Sequence, residues 1–408
     1  MKKILTMALA LIIAVSAFCS CTGNTVGEDL TADVKADDSK TYSFKKGSTS
    51  PPTSYTSYKE AAINFSVKTL SSLLKENDTA LYSPMALYYQ LTLLQNAASQ
   101  DTLGKIKDIT GKNITIDEQN ECGGYFFSRL EKLSNFDKKQ YIDINGDVFF
   151  NKKITVSQNF LLKNADFYNQ DIFRLDFSQK DFTEKVNAYI SEKTGASYSK
   201  KPDKNAGILL LNSAYMNDKW LDGFTEITND SFVGKNKTTS AEFYASTEYY
   251  LEGENCEGFV KDLKNTPSRF VALVPKDISV KKLARKMDSE SFLKTVSSLS
   301  VFKTCKAYIP RFESKAEINF TDQKEFSFLR KTGSYTGLSF NEKTKVSDII
   351  QSFKLKLTKN GIGTAAKPSL KSSKKKADRE VKLNKPFLFA IIDNESNIPI
   401  FMGVISDI

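Results

Sequence analysis

The chain has 408 residues, 40% hydrophobic and 26% charged, which is enough apolar material for a sizeable globular core. It contains no histidine, and that excludes every nucleophile activated by an imidazole and every imidazole-ligated metal site. The formal charge of +10 comes from 58 basic residues mixed with 48 acidic ones and shows no basic stripe interleaved with aromatics, so no nucleic-acid partner is expected.

The chain opens with Met1-Lys2-Lys3 and an apolar run from Ile4 to Val15, the pattern of a signal peptide. The run is too short for a membrane-spanning helix of about 20 residues. Ala17-Phe18-Cys19-Ser20-Cys21 resembles a bacterial lipobox, with small Ser20 placed for cleavage before Cys21. Cys21 is the expected lipidation site and Cys19 the alternative, since Phe18 and Cys19 depart from the usual Leu and small residue. Residues 1–21 are therefore assigned to a lipoprotein-type signal. Residues 22–57 are polar, contain Pro51-Pro52 and lack periodicity, and are assigned to a disordered tether. The expected location is the extracellular face of a cell membrane, with plain secretion as the alternative.

From Tyr58 to Ile408 the pattern is that of a folded body. Ala62, Phe65, Thr69 and Leu73 make a helical stripe, and Ser83-Pro84 opens a second apolar helix. Further helices are predicted over Thr102–Ile109, Tyr125–Leu133 and Phe182–Lys193. Strands are predicted over Tyr141–Phe150, Ile208–Met216, Arg269–Pro275, Val301–Ile309 and Phe353–Thr358. Phe387–Asp393 and Ile398–Ile405 flank a hairpin turn at Asn394–Asn397. Helices early and strands late imply an α+β class, and the continuous apolar run at Ile208 implies a sheet buried on both faces. Cys122, Cys256 and Cys305 form no C-x-x-C pair and are expected to be free thiols. No metal motif or Gly-rich phosphate loop occurs, so neither a cofactor nor a catalytic residue is assigned, and the chain is not expected to be an enzyme.

Three blocks of residues carry a resemblance to a known family. They are Leu211-Asn212-Ser213-Ala214-Tyr215-Met216-Asn217-Asp218-Lys219-Trp220 running on to Phe224, then Leu81-Tyr82-Ser83-Pro84, and finally Lys382-Leu383-Asn384-Lys385-Pro386-Phe387-Leu388-Phe389 with Phe401-Met402-Gly403. Taken in chain order, with Asn187, Thr194 and Gly195 preceding the Leu211 block, they resemble the serpins over residues 58–408. The resemblance implies helices packed around a large central mixed sheet, smaller sheets, and an exposed reactive-centre loop at about 359–380. It also implies that Ser83, Asn212, Trp220 and Phe353 lie where the central sheet must open, Phe353 standing where many members carry a histidine.

The loop decides function. Gly363-Thr364-Ala365-Ala366 resembles the hinge of the reactive-centre loop, which implies a suicide-substrate inhibitor of serine or cysteine endopeptidases. A protease would acylate at the reactive bond, and the cut loop would enter the central sheet as a new strand. Counting back from Pro386 places that bond at Lys375-Lys376, whereas counting forward from Gly363 places it at Ala377-Asp378. Either lysine would suit a trypsin-like or Lys-specific protease. If Thr364 faces inward, strand alternation also buries Ala366, Pro368, Leu370 and Ser372 and exposes Lys367, Ser369, Lys371 and Ser373. Against insertion stand Pro368, which has no N–H for a central strand, Lys367, and Gly361 in place of the family's usual hinge glutamate. The alternative reading is a non-inhibitory, lipid-anchored binding protein acting through its basic surface. Either way a monomer is expected.

Overall fold

The computed structural model describes residues 26–36, 50–134, 141–194, 197–299, 303–363, 377 and 379–408. A short strand β1 (Glu28–Asp29) precedes helix α1 (Tyr55–Glu76), strand β2 (Ala80–Tyr82) and helices α2 (Pro84–Ala97), α3 (Gln100–Thr110) and α4 (Ile116–Ser134). Next come β3 (Tyr141–Asn151), α5 (Gln158–Lys163), β4 (Asp171–Leu175), α6 (Phe182–Thr194) and β5 (Ile208–Lys219). The middle of the chain holds β6 (Glu226–Val233), β7 (Thr238–Glu252), β8 (Cys256–Asp262), β9 (Ser268–Pro275), α7 (Val280–Lys286), α8 (Ser289–Ser297), β10 (Thr304–Pro310) and β11 (Phe312–Asn319). The last elements are β12 (Gly333–Ser334), β13 (Lys343–Thr344), β14 (Val346–Thr358), β15 (Gly361–Ile362), β16 (Glu380–Lys382), β17 (Phe387–Asp393) and β18 (Pro399–Ile405).

Helix starts follow local chemistry. Ser83 caps α2 by accepting from the Ala86 N–H at 3.2 Å, and Pro84 fills the first helical position, where its missing N–H costs nothing. α4 begins at Ile116, well before the stripe read from Tyr125, because Thr115 and Glu118 form a reciprocal cap. The Thr115 N–H donates to Glu118 Oε2 at 2.8 Å, and the Glu118 N–H donates to Thr115 Oγ1 at 3.2 Å.

Two large sheets organise the body. Among the described residues the central one has seven strands in the order β1-β4-β3-β5-β15-β14-β11. The second has nine, following β16-β10-β7-β8-β9-β17-β18-β2 with β6 paired to β7. β5 explains the continuous apolar run, since its two faces feed different cores. Ile208, Leu210, Ala214 and Met216 join the main core, while Leu209 and Leu211 pack with Phe149, Phe173 and Phe182 in a smaller core on the α6 side. α6 is clamped to this face by Lys193, whose ammonium lies 2.7 Å from buried Asp147 and 2.6 Å from Asp171.

The N-terminal segment departs from the sequence reading. Part of the stretch assigned to a structureless tether, residues 26–36, lies against the sheet. Glu28 and Asp29 pair antiparallel with Arg174 and Phe173, Leu30 donates to the Ile172 carbonyl at 2.8 Å, and Val26 is buried beside Leu175 and Phe177. The physical reason is the open ladder of β4, an edge that accepts any strand able to bring an apolar side chain with it. One buried valine in a polar run is too weak a periodic signal to read from sequence.

Candidate functional site

The site is the place where the central sheet changes its pairing. In its lower half β14 runs parallel to β5 in direct contact, with Gln351 opposite Asn212, Ser352 opposite Ser213 and Phe353 opposite Ala214. Above Phe353 the chain reaches Thr358, turns at Lys359-Asn360 and comes back between the two strands as β15. Gly361 and Ile362 pair antiparallel with Thr358 and Leu357 on one side and with Lys219 and Asp218 on the other. The residues that lead into the loop therefore already occupy the middle of the sheet, and Ile362 is buried in the main core.

Glycine is a requirement here. A Cβ on Gly361 would lie 1.9 Å from the Asp218 carbonyl oxygen, and one on Gly363 would lie 2.4 Å from that of Met216. Gly363 also has φ +90°, a region costly for any other residue, and its N–H donates to the Lys356 carbonyl at 2.8 Å. Glycine at position 361 thus fits the seating of β15 between two strands.

Trp220 closes the top of this arrangement. Its indole N–H donates to the Thr358 carbonyl at 3.0 Å, and its ring packs edge-on against Phe224 and Phe270. Beneath it lies a fully buried ion pair. Lys261 Nζ is 2.6 Å from Glu248 and sits 5.6 Å from the Trp220 ring centre and 4.4 Å from that of Phe224. The aromatic faces and the carboxylate together compensate an ammonium that burial would otherwise expel.

Lower in the sheet, Ser83 and Asn212 are brought together by a residue the sequence analysis did not select. The Ser83 N–H donates to Gln351 Oε1 at 2.7 Å, and Gln351 Nε2 donates to the Ser83 carbonyl at 3.0 Å and to Asn212 Oδ1. Asn212 Nδ2 donates to Gln90 Oε1 at 2.8 Å, Gln90 Nε2 to the Leu211 carbonyl at 2.8 Å, and Ser83 Oγ to the Ile400 carbonyl at 2.8 Å. The network joins α2, β5, β14 and β18 through neutral groups alone. Phe353 is not part of it; its ring lies 5.1 Å from that of Phe401. The family resemblance points to Phe353, but pairing with Asn212 sets the register and selects Gln351 two positions earlier. That register comes from a strand distant in sequence and leaves no local signal at Gln351.

The far stem of the loop is fixed on the other sheet. β16 pairs in parallel with β10, Arg379 stacks over Tyr250 at 4.4 Å, and Lys382 lies over Tyr308 and pairs with Asp230. Ala377 is half-buried in no regular element. Thr364, Ala365, Ala366, Pro368, Lys375, Lys376 and Asp378 lie outside the described residues, as do Cys19 and Cys21. Among the described residues no cluster of potential metal ligands occurs, and no helix is long and apolar enough to cross a membrane. Cys122, Cys256 and Cys305 are buried and enter no disulfide among the described residues. Burial pushes the Cys122 thiol up to about 12 and that of Cys256 up to about 11.

The serpin family model, serine protease inhibitor, matches residues 60–408. The chain belongs to the serpin family. Serpin B5 of Rattus norvegicus is 24% identical over 358 residues, covering 80% of this chain and 92% of that protein. The serpin fold is equally plain in three dimensions. A thermophilic serpin, tengpin, in its native state superposes with a TM-score of 0.81 at 22% identity, covering 94% of this chain and all of that one. Human thyroxine-binding globulin complexed with thyroxine gives 0.74 at 19% identity, covering 86% and 99%. Serpins are typically protease inhibitors rather than catalysts and are mostly secreted or extracellular. The fold also carries a small ligand in one of these neighbours.

Proposed function

We propose that this serpin inhibits serine or cysteine endopeptidases as a suicide substrate. The protease acylates within the loop at Lys375-Lys376, and residues from Thr364 onward then lengthen β15 downward between β5 and β14. The observation that carries this reading is the position of β15, antiparallel to both neighbours at the head of the slot that an inserted strand would fill. Ile362 faces the main core, so alternation would send Thr364, Ala366, Pro368, Leu370 and Ser372 to the same side. All are small or apolar, while Lys367 and Lys371 fall on the other face. Extension would part β14 from β5 at Gln351 and Asn212 and break the contacts there, offset by new ladder bonds on both edges of the inserted strand except at Pro368. The native state is then a high-energy form whose release does the work of trapping.

Incubation with trypsin followed by denaturing electrophoresis tests the reading. The expected result is an SDS-stable complex together with a rise in thermal stability of the cleaved chain. Cleavage with neither would sink it and favour the second reading, a non-inhibitory serpin that binds through its basic surface. That reading is favoured by Pro368, which cannot complete the ladder, and it predicts salt-sensitive retention on an anionic polymer even after deletion of the loop. In both cases the chain is proposed to be exported and held at the membrane by a lipid on Cys21, or on Cys19.

A further inference from the structure

A cleft of about 520 Å³ lies where the end of β9 runs into α7, away from the slot between β5 and β14. Its walls are apolar: Pro275 and Val280 are buried, and Ile278 and Pro386 are half-buried. Its rim is cationic, with Lys235, Lys281 and Lys385 set against one carboxylate, Asp78. Asp78 already accepts from Lys235 and, at 3.3 Å, from Lys281, and the Lys235 hydrogen bond above all holds its carboxyl below the usual range. Lys385 is exposed and has no ion-pair partner among the described residues.

We infer that this cleft binds a medium-chain fatty acid, its alkyl chain lying along Ile278, Val280 and Pro386 and its carboxylate on Lys385. Charge complementarity identifies the occupant. The rim carries three cations and one anion, Asp78 being shared by the first two lysines, so the uncompensated charge a ligand meets first is that of Lys385. A single negative head on an apolar body matches an open, apolar cleft with that one unpaired ammonium at its mouth, and the volume is within the range of small-molecule sites. A neutral chain would leave Lys385 without a partner, and a cationic one would face a rim of its own sign. Lys385 and Pro386 join β16 to β17, so the ligand would rest at the root of the loop's anchored stem.

Titration calorimetry of the protein with monomeric dodecanoate tests this, with dodecanol and dodecylammonium as neutral and cationic controls. Saturable 1:1 binding of dodecanoate is expected, with both controls weaker by about tenfold or more. Lys385→Glu changes an exposed side chain and should weaken dodecanoate binding by about tenfold without moving the unfolding midpoint. No saturable binding, equal affinity for dodecanol, or a Lys385→Glu protein that binds as tightly as the parent would overturn the proposal. So would association with phosphatidylglycerol vesicles in the absence of any dodecanoate binding, because the rim would then be a membrane contact.

Discussion

The indole nitrogen of Trp220 donates to the carbonyl of Thr358 at 3.0 Å, tying the residue after β5 to the last residue of β14 across the turn that starts the loop. Trp220→Phe keeps most of the packing and removes the donor, leaving the Thr358 carbonyl short of its partner. The expected loss is about 1–3 kcal/mol in denaturant unfolding followed by circular dichroism. Trp220 is the only tryptophan, so fluorescence of the parent protein reports this junction directly. Its emission should shift when the loop is cleaved and should stay unchanged if β15 does not move.

Gly361 is set by clearance. Gly361→Ala puts a methyl group against the Asp218 carbonyl and should displace β15 from the slot. Overpacking of this kind costs about 1–3 kcal/mol. Limited proteolysis should then cut the loop region faster than in the parent. Unchanged stability and cleavage would mean that β15 is not seated there in solution.

The insertion proposal makes opposed predictions at two loop positions. Thr364→Arg would force a charge into the core and should convert inhibitor to substrate, with cleavage retained and the SDS-stable complex lost. Pro368→Ala restores an N–H to the inserted strand and should raise the fraction of encounters that end in complex. Densitometry of complex against cleaved chain reads both.

The contacts joining Ser83, Gln351, Asn212 and Gln90 hold no titratable group, so they should impose no pH dependence between about pH 5 and 8. Gln351→His tests this. A buried imidazole beside these partners is held neutral, which depresses its folded pKa below the unfolded value of about 6.5. Stability would be present above that value and lost as pH falls through it. Thermal midpoints of the two proteins should therefore diverge below about pH 6.5.

Glu118 links the starts of two helices, accepting from Ser54 before α1 and from Thr115 before α4. The Ser54 hydrogen bond, then those from Thr115, hold its carboxyl at about 2. The unfolded value is about 4.3, so its contribution is present above that pH and lost on acidification toward about 2. Because the group is largely solvated, the effect stays below about 1 kcal/mol. Glu118→Gln should flatten the fall of the urea midpoint across this acid window.

The fold was readable from sequence where one residue type forces one geometry. Ser83-Pro84 marked a helix start, Asn394–Asn397 a hairpin, and the unbroken run from Ile208 a strand covered on both sides. Within the site, Ser83, Asn212, Trp220 and Gly363 are legible only through the blocks that resemble the family, not through any local periodicity. Gln351 was missed because its partner is chosen by pairing with β5, a register that no local pattern encodes. β15 was hidden for a different reason, since two residues carry no periodicity. The long strand β7 and the shorter β8 were missed because their side chains face different surroundings along their length, which blurs the alternation.

Val26, buried in the same small core as Leu175 and Phe177, changes what a lipid on Cys21 would mean for the molecule's posture. From Cys21 to Val26 the chain can reach no further than about 18 Å when fully extended. A lipidated protein would not swing on a long leash. The β4 edge would stay beside the bilayer, and the body would present itself in a restricted set of orientations. An enzyme approaching from the medium would meet a loop whose height above the lipid is fixed by how strand β1 docks, so releasing that docking would give the body the freedom of a much longer stalk.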